Sequence, residues 1–182
     1  MSVNIKKPNI FYCSKCAYPS SSAVNLNFDK IKLCTGCQVG LEKKNIDWDQ
    51  RKSILLKIIK EYKIDKSSKY DCIIPVSGGK DSYFQTHLVT KELNLNPLLV
   101  TYNGNNYTKT GLENLQNMRE KFDVDHDFFT PSINTLKKLN IIGMRMMGDM
   151  NWHAHVAIRT YPIQTAVRYN VPLMFWGEHG RS

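Results

Sequence analysis

DCIIPVSGGKDS, residues Asp71 to Ser82, is the stretch whose reading decides the fold. The apolar run from Cys72 to Val76 is too short for a helix and rich in β-branched side chains, so it predicts a buried strand. Gly78 and Gly79 then permit a tight turn that brings bare backbone N–H groups against a ligand. A turn of this kind that leads into a helix N-terminus favours an anion, through free amides and the helix dipole together. Ser77 and Ser82 add hydroxyl donors, Lys80 a positive charge, and Asp81 a carboxylate for Mg²⁺. The stretch predicts a phosphate cradle; the plainer alternative is an ordinary strand–turn–helix that carries glycines.

Two other phosphate loops are excluded by spacing. A Walker loop needs a glycine five residues before Gly79, where Ile74 stands, and the dinucleotide fingerprint G-x-G-x-x-G is absent. S-G-G-K-D-S instead resembles the PP-loop of the ATP-pyrophosphatase families, which split ATP into AMP and pyrophosphate to activate a carbonyl oxygen. That resemblance implies ATP as a substrate, with Mg²⁺.

Outward from the cradle, the pattern alternates strand and helix, which predicts a parallel, doubly wound α/β sheet. Phe84, Leu88 and Leu93 sit at helical spacing over 82–94, and Pro97 opens a second strand, 98–102, ending at Asn103-Gly104. Thr110 and Glu113 suggest a capping box for a helix buried through Leu112, Leu115, Met118 and Phe122. Asp127 to Phe129 predicts a third strand and Pro131-Ser132 the start of another helix. Residues 154–169 read as a helix that Pro162 should kink or split. VPLMFW, 171–176, predicts a fourth strand with Gly177-Glu178-His179 beyond it. Ligands bind at the carboxyl ends of such strands, so 77–82, Asn103-Gly104 and Glu178-His179 are expected to converge. A doubly wound domain usually continues past this point, so the sheet is expected to be incomplete at its C-terminal edge, or covered by a partner.

The leading segment carries a different signal. Of five cysteines, four fall as Cys13-x-x-Cys16 and Cys34-x-x-Cys37 with 17 residues between the pairs. That is the spacing of a structural four-thiolate Zn²⁺ site, and a segment this small cannot hold a core without its metal. Residues 1–45 are therefore expected to form a zinc ribbon with strand-like stretches at 9–13 and 28–33. Residues 46–69 supply a helix capped by Asp47 (apolar face Trp48, Leu55, Ile58, Ile59, Tyr62) and a polar linker, and 70–182 the ATP-binding domain. Cys72 reads as packing in the first strand.

The charge is 25 basic against 16 acidic residues, net +9, which points to acidic or phosphorylated partners. No apolar run approaches the ~20 residues of a membrane span, and the N-terminus lacks an apolar signal core, so no membrane association and a cytoplasmic location are expected.

The second dense stretch is GMRMMGDMNWHAHVAIRTY, Gly143 to Tyr161. His153 and His155 share a face only if the backbone is extended; on a helix they diverge. They read as substrate-site residues, as satisfied structural histidines, or as a metal pair.

The order CxxC…CxxC, PVSGGKDS, GDMNWHAH…TYP, PLMFWGEH, from Ile10 to His179, resembles the N-acetyl sugar amidotransferase family. Those are PP-loop enzymes that make acetamidino nonulosonic acids for flagellin and other surface glycans. The resemblance implies ATP phosphates on Ser77, Gly78, Gly79, Lys80, Asp81 and Ser82, with Asn103 near the nucleotide, and Zn²⁺ on Cys13, Cys16, Cys34 and Cys37. It implies a sugar site at Asn151, His153, His155 and His179, with Asp149 and Glu178 beside Lys80 and Asp81 as catalytic residues. It also implies an N-acetyl sugar, free or nucleotide-activated, as acceptor and a partner glutamine amidotransferase subunit as ammonia source. The family's members are longer, so the chain reads as an N-terminal portion. A ribbon before SGGKDS also resembles tRNA thiolation enzymes, but no cysteine follows Cys72 to carry sulfur, so nucleic acid is the lesser expectation. A non-catalytic ATP-binding module is the third reading.

Overall fold

The structure, a computed structural model, describes residues 9–22, 26–62 and 68–177. It divides into two compact units, Met1–Leu55 and Leu56–Ser182.

In the first unit the two cysteine pairs sit in tight turns. Among its described residues strand content reduces to two isolated antiparallel bridges, Tyr12 with Pro19 and Phe28 with Cys34. Cys13 N donates to Tyr18 O and Asp29 N to Leu33 O in those bridges. The chain turns at once beyond them, with Ala17 N donating to Cys13 O and Lys32 N to Asp29 O, so the strands expected at 9–13 and 28–33 extend no further. Behind the second pair, α1 (Thr35–Glu42) and a single 3₁₀ turn (Lys43–Asn45) lead to α2 (Trp48–Tyr62). Asp47 caps α2 as expected, its Oδ1 accepting from Gln50 N at 2.9 Å. Of the apolar face expected on α2, Ile59 alone is buried.

The second unit is built on three parallel strands: β1 (Cys72–Pro75), β2 (Pro97–Tyr102) and β3 (Asp125–Phe129), in the order β1-β2-β3. A parallel bridge from Ile73 to Met174 extends the sheet on the far side of β1, with Ile73 N donating to Leu173 O and Phe175 N to Ile73 O. This bridge is all that forms of the fourth strand expected over 171–176. Pro172 has no N–H to give, and Val171 N is turned back to Ala166 O at the end of the preceding helix.

The connections are helical. After the glycine turn come α3 (Lys80–His87) and one π turn (Leu88–Glu92); α4 (Lys109–Phe122) joins β2 to β3. Two helices, α5 (Ile133–Met147) and α6 (Trp152–Arg168), return the chain to Met174. The chain thus runs outward through β1, β2 and β3 and then back past β1, and right-handed crossovers put the two halves of that path on opposite faces. Burial follows the alternation along the strands. Ile73, Leu98 and Val100 pack with Tyr70 and Val171 on the face covered by Tyr161 and Ala166 of α6. Cys72, Ile74 and Leu99 alternate onto the other face and are fully buried.

Three local expectations are corrected. The buried face of α3 is Ser82, Thr86 and then Val89, while Phe84 is 65% exposed; Thr86 donates its hydroxyl to Ser82 O and Met118 Sδ, so a small polar face packs where Phe84, Leu88 and Leu93 were expected. The N-cap of α4 is Thr108, whose hydroxyl accepts from Gly111 N, rather than Thr110; Tyr107 packs against Gly111 and fixes the earlier start, and Leu112 stays exposed. Pro162 does not split its helix into two elements: it is buried within the continuous α6, where it leaves the Ile158 carbonyl without an i+4 donor.

β3 is an edge among the described strands, guarded by charge. Asp125 accepts from Lys69 and Tyr70, and Asp127 from Tyr161 and Arg168. No helix among the described residues is long and apolar enough to cross a membrane.

Candidate active site

The cradle forms where β1 ends. Gly78 takes φ +77°, and its missing side chain lets the turn lie against α4, where a Cβ would sit 3.0 Å from Leu115 Cγ and 3.2 Å from Gly111 O. Ser77 N donates to Ser82 Oγ at 2.9 Å, and the two serine hydroxyls are 3.4 Å apart, which closes the turn onto the first turn of α3. Gly79 is the N-cap residue and makes no side-chain cap, so the first amides of α3 stay available to an anion. Lys80 is exposed, and its Nζ pairs with Asp81 Oδ1 at 2.7 Å, an arrangement a bound phosphate and cation can exchange at little cost.

β2 props the cradle from the side. Thr101 donates its hydroxyl to Val76 O at 2.7 Å and meets His126 Nε2 at 2.9 Å. Burial pushes the His126 pKa down to about 4, so the ring is neutral at physiological pH and its Nε2–H is the donor that Thr101 needs.

Beyond the cradle lie two neighbouring lobes that share part of their lining. The first is lined by Ser77, Gly79, Asp81, Ser82 and Gln85 of the β1–α3 segment, and by Trp176 and Gly177. The second is lined by Gly104, Asn106, Asn151, Ala154 and His155. Tyr102, Tyr107 and Ile158 line both lobes. The cleft lies at the carboxyl ends of β1 and β2, where an open α/β sheet places ligands.

The GDMNWHAH stretch forms the wall of the second lobe. α5 ends at Met147, and α6 starts within five residues because Gly143 lets the turn fold back: a Cβ there would lie 2.6 Å from Asp149 O. Asn151 and His155 reach the lobe. Asp149 stands behind them, its Oδ1 accepting from Asn151 N at 2.8 Å and its Oδ2 3.5 Å from His155 Nε2. His153 is only 7% exposed and sits below the lobe, between Tyr102 Oη (3.2 Å) and Asn140 (2.7 Å). Both histidines are on α6, so they diverge and form no metal pair. Asn103 lines neither lobe: it is buried, its Nδ2 donating to Thr130 and its Oδ1 accepting from Asn105 N. Glu178 and His179 lie outside the described residues.

Tyr102, Tyr107, Gln85, Ile158 and Trp176 are cleft residues that the sequence reading did not single out. Tyr102 carried one usable signal, its place as the last residue of a strand before Asn103-Gly104. The others come together only through tertiary packing.

The four ribbon cysteines form a separate site. Their ligand atoms all lie within 4.8 Å of one another, with Cys13 Sγ–Cys37 Sγ at 3.9 Å and Cys16 Sγ–Cys34 Sγ at 3.7 Å. A tetrahedral ion with Zn–S of about 2.3 Å sets its sulfurs roughly 3.8 Å apart, whereas a disulfide needs about 2 Å, so the geometry fits one ion. Backbone N–H groups of Cys34 and Lys15 both point at Cys13 Sγ at 3.4 Å. N–H donors from the chain hold the Cys13 thiol down to about 6, while burial and the neighbouring cysteines push Cys37 up to about 12. Four crowded sulfurs of this kind ionise together only around a cation.

No family model matches the chain. It is 30% identical over 113 residues to an uncharacterized protein of Methanocaldococcus jannaschii, covering 62% of this chain and 40% of that relative's length. Among solved structures it is similar to an NH₃-dependent NAD synthetase from Campylobacter jejuni, with a TM-score of 0.51 and 14% identity over 74% of this chain and 58% of that one. It is likewise similar to an NMN synthetase from Francisella tularensis, with a TM-score of 0.50 and 14% identity over 69% and 52%. At that identity the likeness shows the fold. The second unit has the α/β fold of those structures, with a parallel sheet and the SGGKDS turn at the carboxyl end of β1, and a four-cysteine cluster precedes it in the chain.

Proposed function

We propose that this chain is the ATP- and acceptor-binding part of an N-acetyl sugar amidotransferase that converts an acetamido group into an acetamidino group. The observation that carries the reading is the two-lobed cleft: a phosphate cradle in one lobe, amide and imidazole groups in the other, and Tyr102, Tyr107 and Ile158 common to both.

An acetamide is a poor electrophile, and its oxygen is a poor leaving group. In the proposed reaction the acetamide oxygen attacks the α-phosphorus of ATP, pyrophosphate departs, and the carbon carries an O–AMP group. Ammonia adds to that carbon and AMP leaves with the original oxygen, so that acetamide, ATP and ammonia become amidine, AMP and pyrophosphate. Ser77, the α3 amides and Lys80 would hold the departing pyrophosphate, and Asp81 would hold the Mg²⁺ that travels with the nucleotide. Asn151 and His155 would seat the acceptor, with Asp149 balancing charge behind His155 as the cationic amidine forms. The apolar flank of Ile158 and Pro162 excludes water, which would return the activated amide to starting material. Zn²⁺ on Cys13, Cys16, Cys34 and Cys37 supplies structure, since four thiolates leave no open coordination position. Ammonia would come from a glutamine amidotransferase subunit.

The cleft favours amide activation over RNA thiolation, because no cysteine lines it among the described residues and Cys72 is buried in β1. The test is pyrophosphate release from Mg·ATP and ammonium with a panel of 2-acetamido sugars and nucleotide sugars, run beside bulk tRNA. The reading expects release that depends on one sugar class and a product in which one oxygen has become NH. Release that depends on tRNA alone would overturn it.

A further inference from the structure

Below the second lobe lies a hydrogen-bond chain whose direction can be worked out and which ends at Tyr102. Asn140 on α5 faces the carbonyls of Leu136 (3.3 Å) and Met150 (3.0 Å) and the Nε2 of His153 (2.7 Å). An amide oxygen in that place would meet two carbonyl oxygens, so the amide nitrogen occupies it. Asn140 is then the donor to His153 Nε2. A neutral imidazole that accepts at Nε2 carries its proton on Nδ1, and Nδ1 lies 3.2 Å from Tyr102 Oη. His153 therefore donates to Tyr102, and the hydroxyl proton of Tyr102 is released from the chain. Among the described residues no protein acceptor takes it. Burial holds the phenol above its ordinary pKa, so the proton stays on the oxygen at neutral pH. Tyr102 lines both lobes, where an acceptor must meet the nucleotide.

We infer that Tyr102 presents its hydroxyl proton to the carbonyl oxygen of an amide acceptor at the junction of the lobes, and that His153 and Asn140 are positioning residues that set the direction of that donor. This rests on the amide-activation reading of the cleft. It also gives the buried histidine a role other than touching the sugar: it acts through Tyr102. A tyrosine aimed in this way orients the acceptor oxygen toward the α-phosphorus before transfer, and leaves the cradle to hold the nucleotide by itself. Had the chain run the other way, with Asn140 accepting from His153 and His153 from Tyr102, the hydroxyl would be spent inside the protein.

Two measurements test it. The first needs no activity: two-bond ¹H–¹⁵N correlation spectra of the ¹⁵N-histidine-labelled chain, with the His153 signals identified by their loss in His153→Gln, report which ring nitrogen is protonated. The inference expects a neutral ring with the proton on Nδ1 at neutral pH; a proton on Nε2 overturns it. The second is the acceptor-dependent pyrophosphate assay on Tyr102→Phe, which removes only the hydroxyl. The expected result is a loss of about 10²-fold in kcat/KM for the acceptor, the size seen when one preorganised donor is deleted, with KM for Mg·ATP unchanged. Unchanged acceptor kinetics, or an equal loss toward both substrates, overturns it. A wild-type chain silent with every acceptor is instead a failure of the amide-activation reading, and the tautomer then decides this inference alone.

Discussion

Gly78→Ala is expected to lose about 3 kcal/mol of stability and its nucleotide binding together, while Gly79→Ala keeps its stability and loses only the nucleotide. The two neighbouring glycines differ in what a methyl group would meet. At Gly78 the backbone has φ +77°, which costs an L-residue about 1–2 kcal/mol. The new Cβ would also lie 3.0 Å from Leu115 Cγ and 3.2 Å from the Gly111 carbonyl, overpacking that adds about 1–3 kcal/mol. Relief requires the turn to move away from α4, which pulls Ser77 N off Ser82 Oγ and opens the cradle. Gly79 has an extended backbone, and its Cβ would meet only Ser77 Oγ at 3.6 Å, an ordinary contact, so the fold tolerates the change. The methyl group then stands at the mouth of α3, where a phosphate oxygen must approach. Urea midpoints measure the first effect and calorimetric titration with Mg·ATP the second. A Gly78→Ala chain as stable as its parent, or a Gly79→Ala chain that binds Mg·ATP as tightly, would contradict this account of the turn.

The second large effect concerns the ribbon. Among the described residues of the first unit, the buried apolar side chains are Cys13 (4% exposed) and Cys34 (2%), while Ile10, Phe11, Tyr12, Ile31, Val39 and Leu41 are all exposed. A segment without an apolar core has almost nothing to set against its chain entropy except the metal. Structural Zn²⁺ in segments of this size contributes about 10–16 kcal/mol of apparent binding free energy, so the ribbon is expected to unfold when the metal leaves. Chelation, or Cys34→Ser, should remove one equivalent of zinc per chain and make 9–45 sensitive to protease, with β1–β3 and their helices remaining protected. A metal-free chain whose ribbon resists protease as well as the loaded one would contradict a structural role.

The parts of this molecule legible in its sequence are those set by local chemistry. The SGGKDS turn, the Asp47 cap, the helix start at Ser132, strand β2 from Pro97 and the paired CxxC turns all follow from residues within a few positions of one another. What escaped is set by packing. α3 buries Ser82 and Thr86 because the Thr86 hydroxyl finds acceptors in Ser82 O and Met118 Sδ; periodicity of apolar residues alone pointed to Phe84. The 171–176 run has strand composition, yet a proline and a turned-back amide leave it one bridge. For the cleft, Asn151 and His155 could be picked out from their dense polar setting, but not the reversal of roles at His153. That depends on Tyr102, 51 residues away, and on an asparagine inside α5. Asn103 was singled out for its place after a strand; its side chain is occupied by Thr130 and Asn105.

The most direct test of the central claim follows an oxygen atom. An N-acetyl sugar that supports pyrophosphate release would be prepared with ¹⁸O in its acetamide carbonyl and turned over with Mg·ATP and ammonium, and the AMP analysed by mass spectrometry. If the acetamide oxygen attacks the α-phosphorus and later leaves with it, the ¹⁸O must appear in AMP, one atom for each amidine formed, and not in pyrophosphate. AMP that carries only solvent oxygen would mean that ATP is hydrolysed without touching the acceptor, and the account of this cleft as an amide-activating site would be wrong.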